Sequence, residues 1–137
     1  MCSETWKDGA WVYKRQIKTL CDNEVWCLTR MSKHGYAPKV ERVETDVIRT
    51  EYIQPEKVTN YSEFLWHLPI VLHLLEKEGI RHGDLDMYGV IPHGNKPYLV
   101  DFAESRLTCD PRPDKRGEGD AYWLKQTMEW MALGNLI

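Results

Sequence analysis

Paired cysteines are missing from this 137-residue chain: Cys2, Cys21, Cys27 and Cys109 form no C-x-x-C pair and show no zinc-ligand spacing. The four thiols therefore read as reduced and structural. No H-E-x-x-H arrangement occurs among the five histidines, and all but His82 read as packing or surface residues. Long apolar runs are missing too. The longest, residues 65–75, is interrupted by His67, Pro69 and His73, and the amino terminus has no apolar h-region, so no membrane-spanning or secretory segment is expected. A reducing, cytoplasmic compartment follows as the expectation. An excess of positive charge is lacking as well. The net charge is −3, and Lys14, Arg15 and Lys18 lie far from Arg112, Lys115 and Arg116, so nucleic-acid binding finds no support. The later trio sits among Asp110, Asp114, Glu118 and Asp120 and reads as a solvated loop.

What is present describes a globular chain long enough for one ordinary domain, with 42% hydrophobic and 28% charged residues. Asp8-Gly9 between two short runs rich in Trp, Val and Tyr predicts a hairpin with Trp11 and Tyr13 on one face. A helix of about three turns is expected next, capped by Asp22 or Asn23, with Val25, Leu28 and Met31 on its apolar side and Gly35 as its stop. The run KVERVETDVIRTEYI predicts a second hairpin turning near residues 44–46. After the polar connector QPEKVTN comes a helix with Leu68, Leu72 and Leu75 at helical spacing, Pro69 as a kink or boundary and Gly79 as terminator. MYGVI and PYLV around PHGNK predict a third hairpin, and LTCDPRPDKRGEG a loop. A last helix is expected to be capped by Asp120, to carry Leu124, Met128 and Met131 as a stripe and to close at Gly134.

Two aspartates flank the third hairpin, each beside an apolar residue: Asp84 with Leu85, Asp101 with Phe102. Either could cap a turn. Either could also face a cleft, binding a divalent metal or accepting a proton. The hairpin should bring them close together, and a cation between them would relieve their repulsion.

His82-Gly83-Asp84-Leu85, followed by Asp101-Phe102-Ala103-Glu104, resembles the catalytic and metal-binding loops of the protein-kinase-like superfamily. The H-G-D form is similar to that of RIO kinases, small KEOPS-complex kinases and aminoglycoside phosphotransferases; the superfamily pattern is H-x-D-x-x-x-x-N and then D-F-G. The resemblance covers residues 6–132 and implies an α+β fold with two lobes. These would be a reduced amino-terminal lobe, residues 1–54, made of a short antiparallel sheet and one helix, and a truncated, mainly helical carboxy-terminal lobe, residues 55–137.

The same resemblance implies the roles. Lys14 would contact ATP phosphates and pair with Glu24, Asp84 would be the base, Asp101 would hold Mg²⁺, and backbone groups of Glu51, Tyr52 and Ile53 would meet an adenine edge. His82 and Asp120 would support the catalytic loop, Asp120 by accepting its backbone amides. The implied activity is Mg-ATP-dependent phosphotransfer to a protein Ser/Thr or another hydroxyl, or ATP hydrolysis.

Departures from the pattern favour an alternative, a pseudokinase acting as a nucleotide- or protein-binding module. Gly89 stands where the second metal-binding asparagine belongs, with Asp86 as a possible replacement ligand. A first strand with a glycine-rich phosphate loop, an A-P-E motif and later helices are not expected in this chain. Trp66, Trp123 and Trp130, if partly exposed, would suit a protein partner or self-association.

Overall fold

The computed structural model describes residues 3–110 and 119–136; Cys2 and the charged run with Arg112, Asp114, Lys115, Arg116 and Glu118 lie outside them. In chain order the elements are β1 (Glu4–Asp8), β2 (Trp11–Arg15), α1 (Lys18–Lys33), β3 (Val40–Glu44) and β4 (Val47–Glu51). Then follow α2 (Tyr61–Glu78), β5 (Ile80–Arg81), β6 (Val90–His93), β7 (Lys96–Leu99), β8 (Arg106–Leu107) and α3 (Asp120–Ala132). The class is α+β, with a four-stranded antiparallel sheet ordered β1-β2-β4-β3 and three helices. No helix among the described residues is long and apolar enough to cross a membrane.

All three expected hairpins form. Gly9, at φ +63°, takes the first central position of the two-residue turn between Asp8 and Trp11, where a side chain would be strained. Gly94 and Asn95 both have positive φ between His93 and Lys96, the primed geometry that matches strand twist. That second turn also clasps the connector ahead of α2. Asn95 Oδ1 accepts the amides of Thr59 (2.8 Å) and Asn60 (3.0 Å), and Glu56 Oε1 accepts the amide of Gly94 at 2.9 Å.

On the outer face of the main sheet, Trp6 and Tyr13 stack with centroids 5.5 Å apart. Arg15 lies over Trp6 and Arg49 over Trp11, and both guanidinium groups also pair with carboxylates, of Asp46 and Glu41 respectively. The inner face presents Val12, Lys14, Ile48 and Thr50 to a cleft.

Helix α1 begins earlier than expected, at Lys18, and its N-cap, Ile17, makes no side-chain cap bond. Asp22 and Asn23 are interior residues, not caps. Packing explains the start, since Cys21, Cys27, Leu28 and Met31 are all buried along one side. Helix α2 runs continuously through Pro69 and is capped by the side chain of Asn60 at one end and by Gly79, at φ +71°, at the other. Its fully buried positions are Phe64, Val71 and Leu75, while Leu68 and Leu72 are half-buried. In α3 the cap is Gly119, and Asp120 is the first helical residue. The expected stripe of Leu124, Met128 and Met131 is buried.

One continuous core joins α1, α2, α3 and the β6–β7 hairpin. The ladder of β5 with β8, two residues each, was not foreseen; it closes the segment that holds both aspartates. Cys21 and Cys27 are buried free thiols and Cys109 an exposed one; burial foremost pushes Cys27 up to about 12. Trp66 is 66% exposed, Trp123 and Trp130 half-buried.

Candidate active-site cleft

Each aspartate precedes an apolar anchor. Leu85 and Phe102 are both wholly buried, which accounts for the apolar residues beside the two carboxylates. Full burial of such a side chain contributes about 1.5–3 kcal/mol and fixes the backbone next to it. Asp84 and Asp101 line one cavity of about 350 Å³, so the hairpin does bring them to a shared space. Asp101 is also held at φ +63°, a conformation rare for a residue with a side chain.

Lys14 projects from β2 into the same cavity. Its Nζ lies 3.2 Å from Glu24 Oε1 and 2.9 Å from Asp101 Oδ1. Burial alone would lower the pKa of this ammonium, but the charges of Glu24 and Asp101 and their hydrogen bonds outweigh it and hold the pKa above its ordinary value. Glu24 is only 3% exposed and is further satisfied by Gln16 Nε2 at 2.8 Å and by the amide of Phe102 at 3.2 Å.

His82 is buried edge-on against Phe102. Its Nε2 lies 2.7 Å from the carbonyl oxygen of Val100, which can only accept, so Nε2 carries hydrogen and Nδ1 accepts the amide of Asp84 at 3.1 Å. The carboxylate of Asp120 accepts the amides of His82 and Gly83, both at 2.8 Å. The sequence expectation that Asp120 caps α3 is thus corrected: its oxygens serve the loop before Asp84.

Gly89 is closely confined. A Cβ on it would sit 2.6 Å from the carbonyl oxygen of Asp84 and 3.5 Å from His82 Cε1. Asp86 Oδ1 accepts the amides of Tyr88 (2.9 Å) and Gly89 (3.2 Å), which closes a tight turn.

Beside the polar cavity lies a more apolar one of about 280 Å³, lined by Val12, Pro38, Ile48, Ile91 and Val100 together with Glu51, Tyr52 and Ile53. The two share Thr5, Lys14 and Asp101 and form one cleft, apolar at one end and charged at the other. The amides of Glu51 and Tyr52 already donate to the carbonyls of Lys39 (3.0 Å) and Ala10 (2.8 Å). Ile53 lies two residues past the end of β4 and lines the same cavity.

Asp84, Asp101 and Glu104 line the polar end, and carboxylate oxygens are the donors that a hard cation takes. No cluster of three or more His, Cys, Asp or Glu among the described residues forms a metal cage by itself. Such a set fits Mg²⁺, which is commonly held by one or two carboxylates plus phosphate oxygens.

The sequence does not reveal the roles of two residues. Gln16 faces the polar cavity while its amide holds Glu24. Asn23 reaches from α1 to three carbonyls just after Asp101: Phe102 (3.2 Å), Ala103 (2.9 Å) and Ser105 (2.8 Å). The one local signal is an asparagine inside a helix, a position it fills poorly without a side-chain role.

A family model described as the RIO domain matches residues 8–115, a span holding Lys14, Glu24, His82, Asp84 and Asp101 and ending before Asp120. Among curated proteins, the probable bifunctional tRNA threonylcarbamoyladenosine biosynthesis protein of Methanocorpusculum labreanum is 33% identical over 90 residues. That alignment covers 66% of this chain and 15% of the relative.

Proposed function

The chain belongs to the RIO-domain family of the protein-kinase-like superfamily, and from that premise we propose that it binds ATP with Mg²⁺ and transfers or hydrolyses the γ-phosphate. The observation that carries this reading is Lys14 bridging Glu24 and Asp101 where the charged and apolar parts of one cleft meet.

In this reading the adenine lies between the side chains of Val12, Ile48 and Ile91, with its edge at the Ile53 amide. Lys14 turns from Asp101 toward the phosphates while Glu24, still held by Gln16 and the Phe102 amide, keeps the ammonium in place. Asp101 would hold Mg²⁺, which would supply positive charge to the phosphates. Asp84 accepts the proton of the attacking hydroxyl or water, and the His82 ring fixes the backbone amide of that aspartate. The acceptor can be a protein Ser/Thr, a small alcohol or water. Little covalent help is needed, because positioning and charge supply most of the rate.

The test is a γ-phosphate transfer and hydrolysis assay with Mg²⁺ and with Mn²⁺, run on wild type beside Asp84→Asn and Asp101→Asn. Turnover lost in both variants supports the proposal; turnover unchanged in both refutes it.

Gly89 favours a second reading, a nucleotide-binding module without turnover, since no side chain fits where a second metal ligand would stand. Metal-dependent nucleotide binding by a wild-type protein that releases no phosphate would select it.

A further inference from the structure

Asn23 and Glu24 are consecutive on α1, yet both side chains reach the turn after Asp101 and serve it with opposite polarity. Glu24 Oε2 accepts the amide of Phe102, whereas Asn23 Nδ2 donates among the carbonyls of Phe102, Ala103 and Ser105. The turn closes on itself through the Ser105 amide and the Phe102 carbonyl at 3.0 Å. It is tied to the other loop by Ser105 Oγ, which donates to the carbonyl of His82 at 3.3 Å.

We propose that Asn23 is a positioning residue for the divalent cation, fixing the backbone turn that aims the carboxylate of Asp101. The inference rests on the reading above in which Asp101 holds the metal beside bound nucleotide. An aspartate held at φ +63° keeps that conformation only where its neighbours over-determine it, and Asn23 holds the turn from the helix side. Only a donor can do this. Three converging carbonyl oxygens repel a carboxylate of the same shape, so Asn23→Asp reverses the interaction without changing volume. Asn23 is not among the residues that line the apolar end of the cleft, so its loss should act on the metal and spare contacts to the adenine.

The experiment is calorimetric titration of the full chain with a non-hydrolysable ATP analogue, in Mg²⁺ and in EDTA, for wild type, Asn23→Asp and Asn23→Ala. The variants should keep metal-free affinity within about twofold and lose about tenfold or more of the gain that Mg²⁺ confers, as loss of outer-shell support to a metal ligand does. The amides of Phe102 and Ser105 should exchange faster in both variants, a readout independent of turnover. A wild-type Mg²⁺ gain in folded Asn23→Asp and Asn23→Ala overturns the inference while leaving the nucleotide reading intact. No Mg²⁺ gain in wild type itself refutes the nucleotide reading, and the inference falls with it. Alanine is the better helix former, so Asn23→Ala carries the comparison if Asn23→Asp does not fold. If neither variant folds, Asn23 is structural and the inference is overturned.

Discussion

The carbonyl oxygen of Asp84 lies 2.6 Å from the position a Cβ would occupy on Gly89. The backbone there cannot yield easily, because the Gly89 amide is taken by Asp86 and the Gly89 carbonyl by the Val100 amide, each at 3.0 Å. The glycine thus has a steric reason to be where the superfamily pattern has an asparagine, and restoring that asparagine should not restore a ligand. Gly89→Ala and Gly89→Asn are both expected to lose about 1–3 kcal/mol of stability in urea denaturation. Neither should bind Mg²⁺ more tightly in the presence of nucleotide. A Gly89→Asn protein of wild-type stability with improved metal affinity would contradict this account.

Asp120 connects α3 to the loop before Asp84 through the His82 and Gly83 amides. Asp120→Asn leaves one acceptor oxygen and turns an N–H group toward the other amide. Hydrogen bonds to a charged acceptor contribute about 1.5–3 kcal/mol each, so a loss near 2 kcal/mol is expected. Hydrogen exchange separates this role from capping: the His82 and Gly83 amides should exchange faster, while the first turn of α3 keeps its protection.

Local chemistry made much of this fold legible. Gly9 and the Gly94-Asn95 pair name their turns because few residues accept those backbone angles. The site was legible for a different reason, since Lys14, Glu24, His82, Asp84, Asp101 and Asp120 fall in the order of a known pattern. Contacts that the chain makes over long range were hidden. Asn23 meets Ala103, 80 positions away, and nothing near Asn23 encodes that. The start of α1 is not marked by a capping side chain, because burial of Cys21 and Leu28 decides it. Two-residue strands such as β5 and β8 are too short to show alternation.

Acid should destabilise the fold through His67, which is partly buried beside Tyr36. The Tyr36 hydroxyl lies 2.6 Å from His67 Nδ1, and burial pushes the phenol pKa up. Burial first, and the Lys96 charge second, lower the pKa of His67. The unfolded chain therefore binds the proton more readily, and stability falls as pH drops below the unfolded value of about 6.5 toward the lower folded value. Thermal unfolding across this window should show the decline in wild type and a shallower one in His67→Gln.

The opposite sign holds for Lys14. Its folded pKa is raised because Glu24 and Asp101 favour the ammonium more than burial penalises it. The contribution is fully present below the unfolded lysine value of about 10.4 and is lost as pH rises through the higher folded value. Lys14→Met should first cost stability at neutral pH, since Glu24 stays buried with its cation gone. In urea denaturation up to strongly alkaline pH, the gap between wild type and Lys14→Met should then narrow as Lys14 deprotonates. A gap independent of pH would mean that the ammonium is not what Glu24 and Asp101 hold.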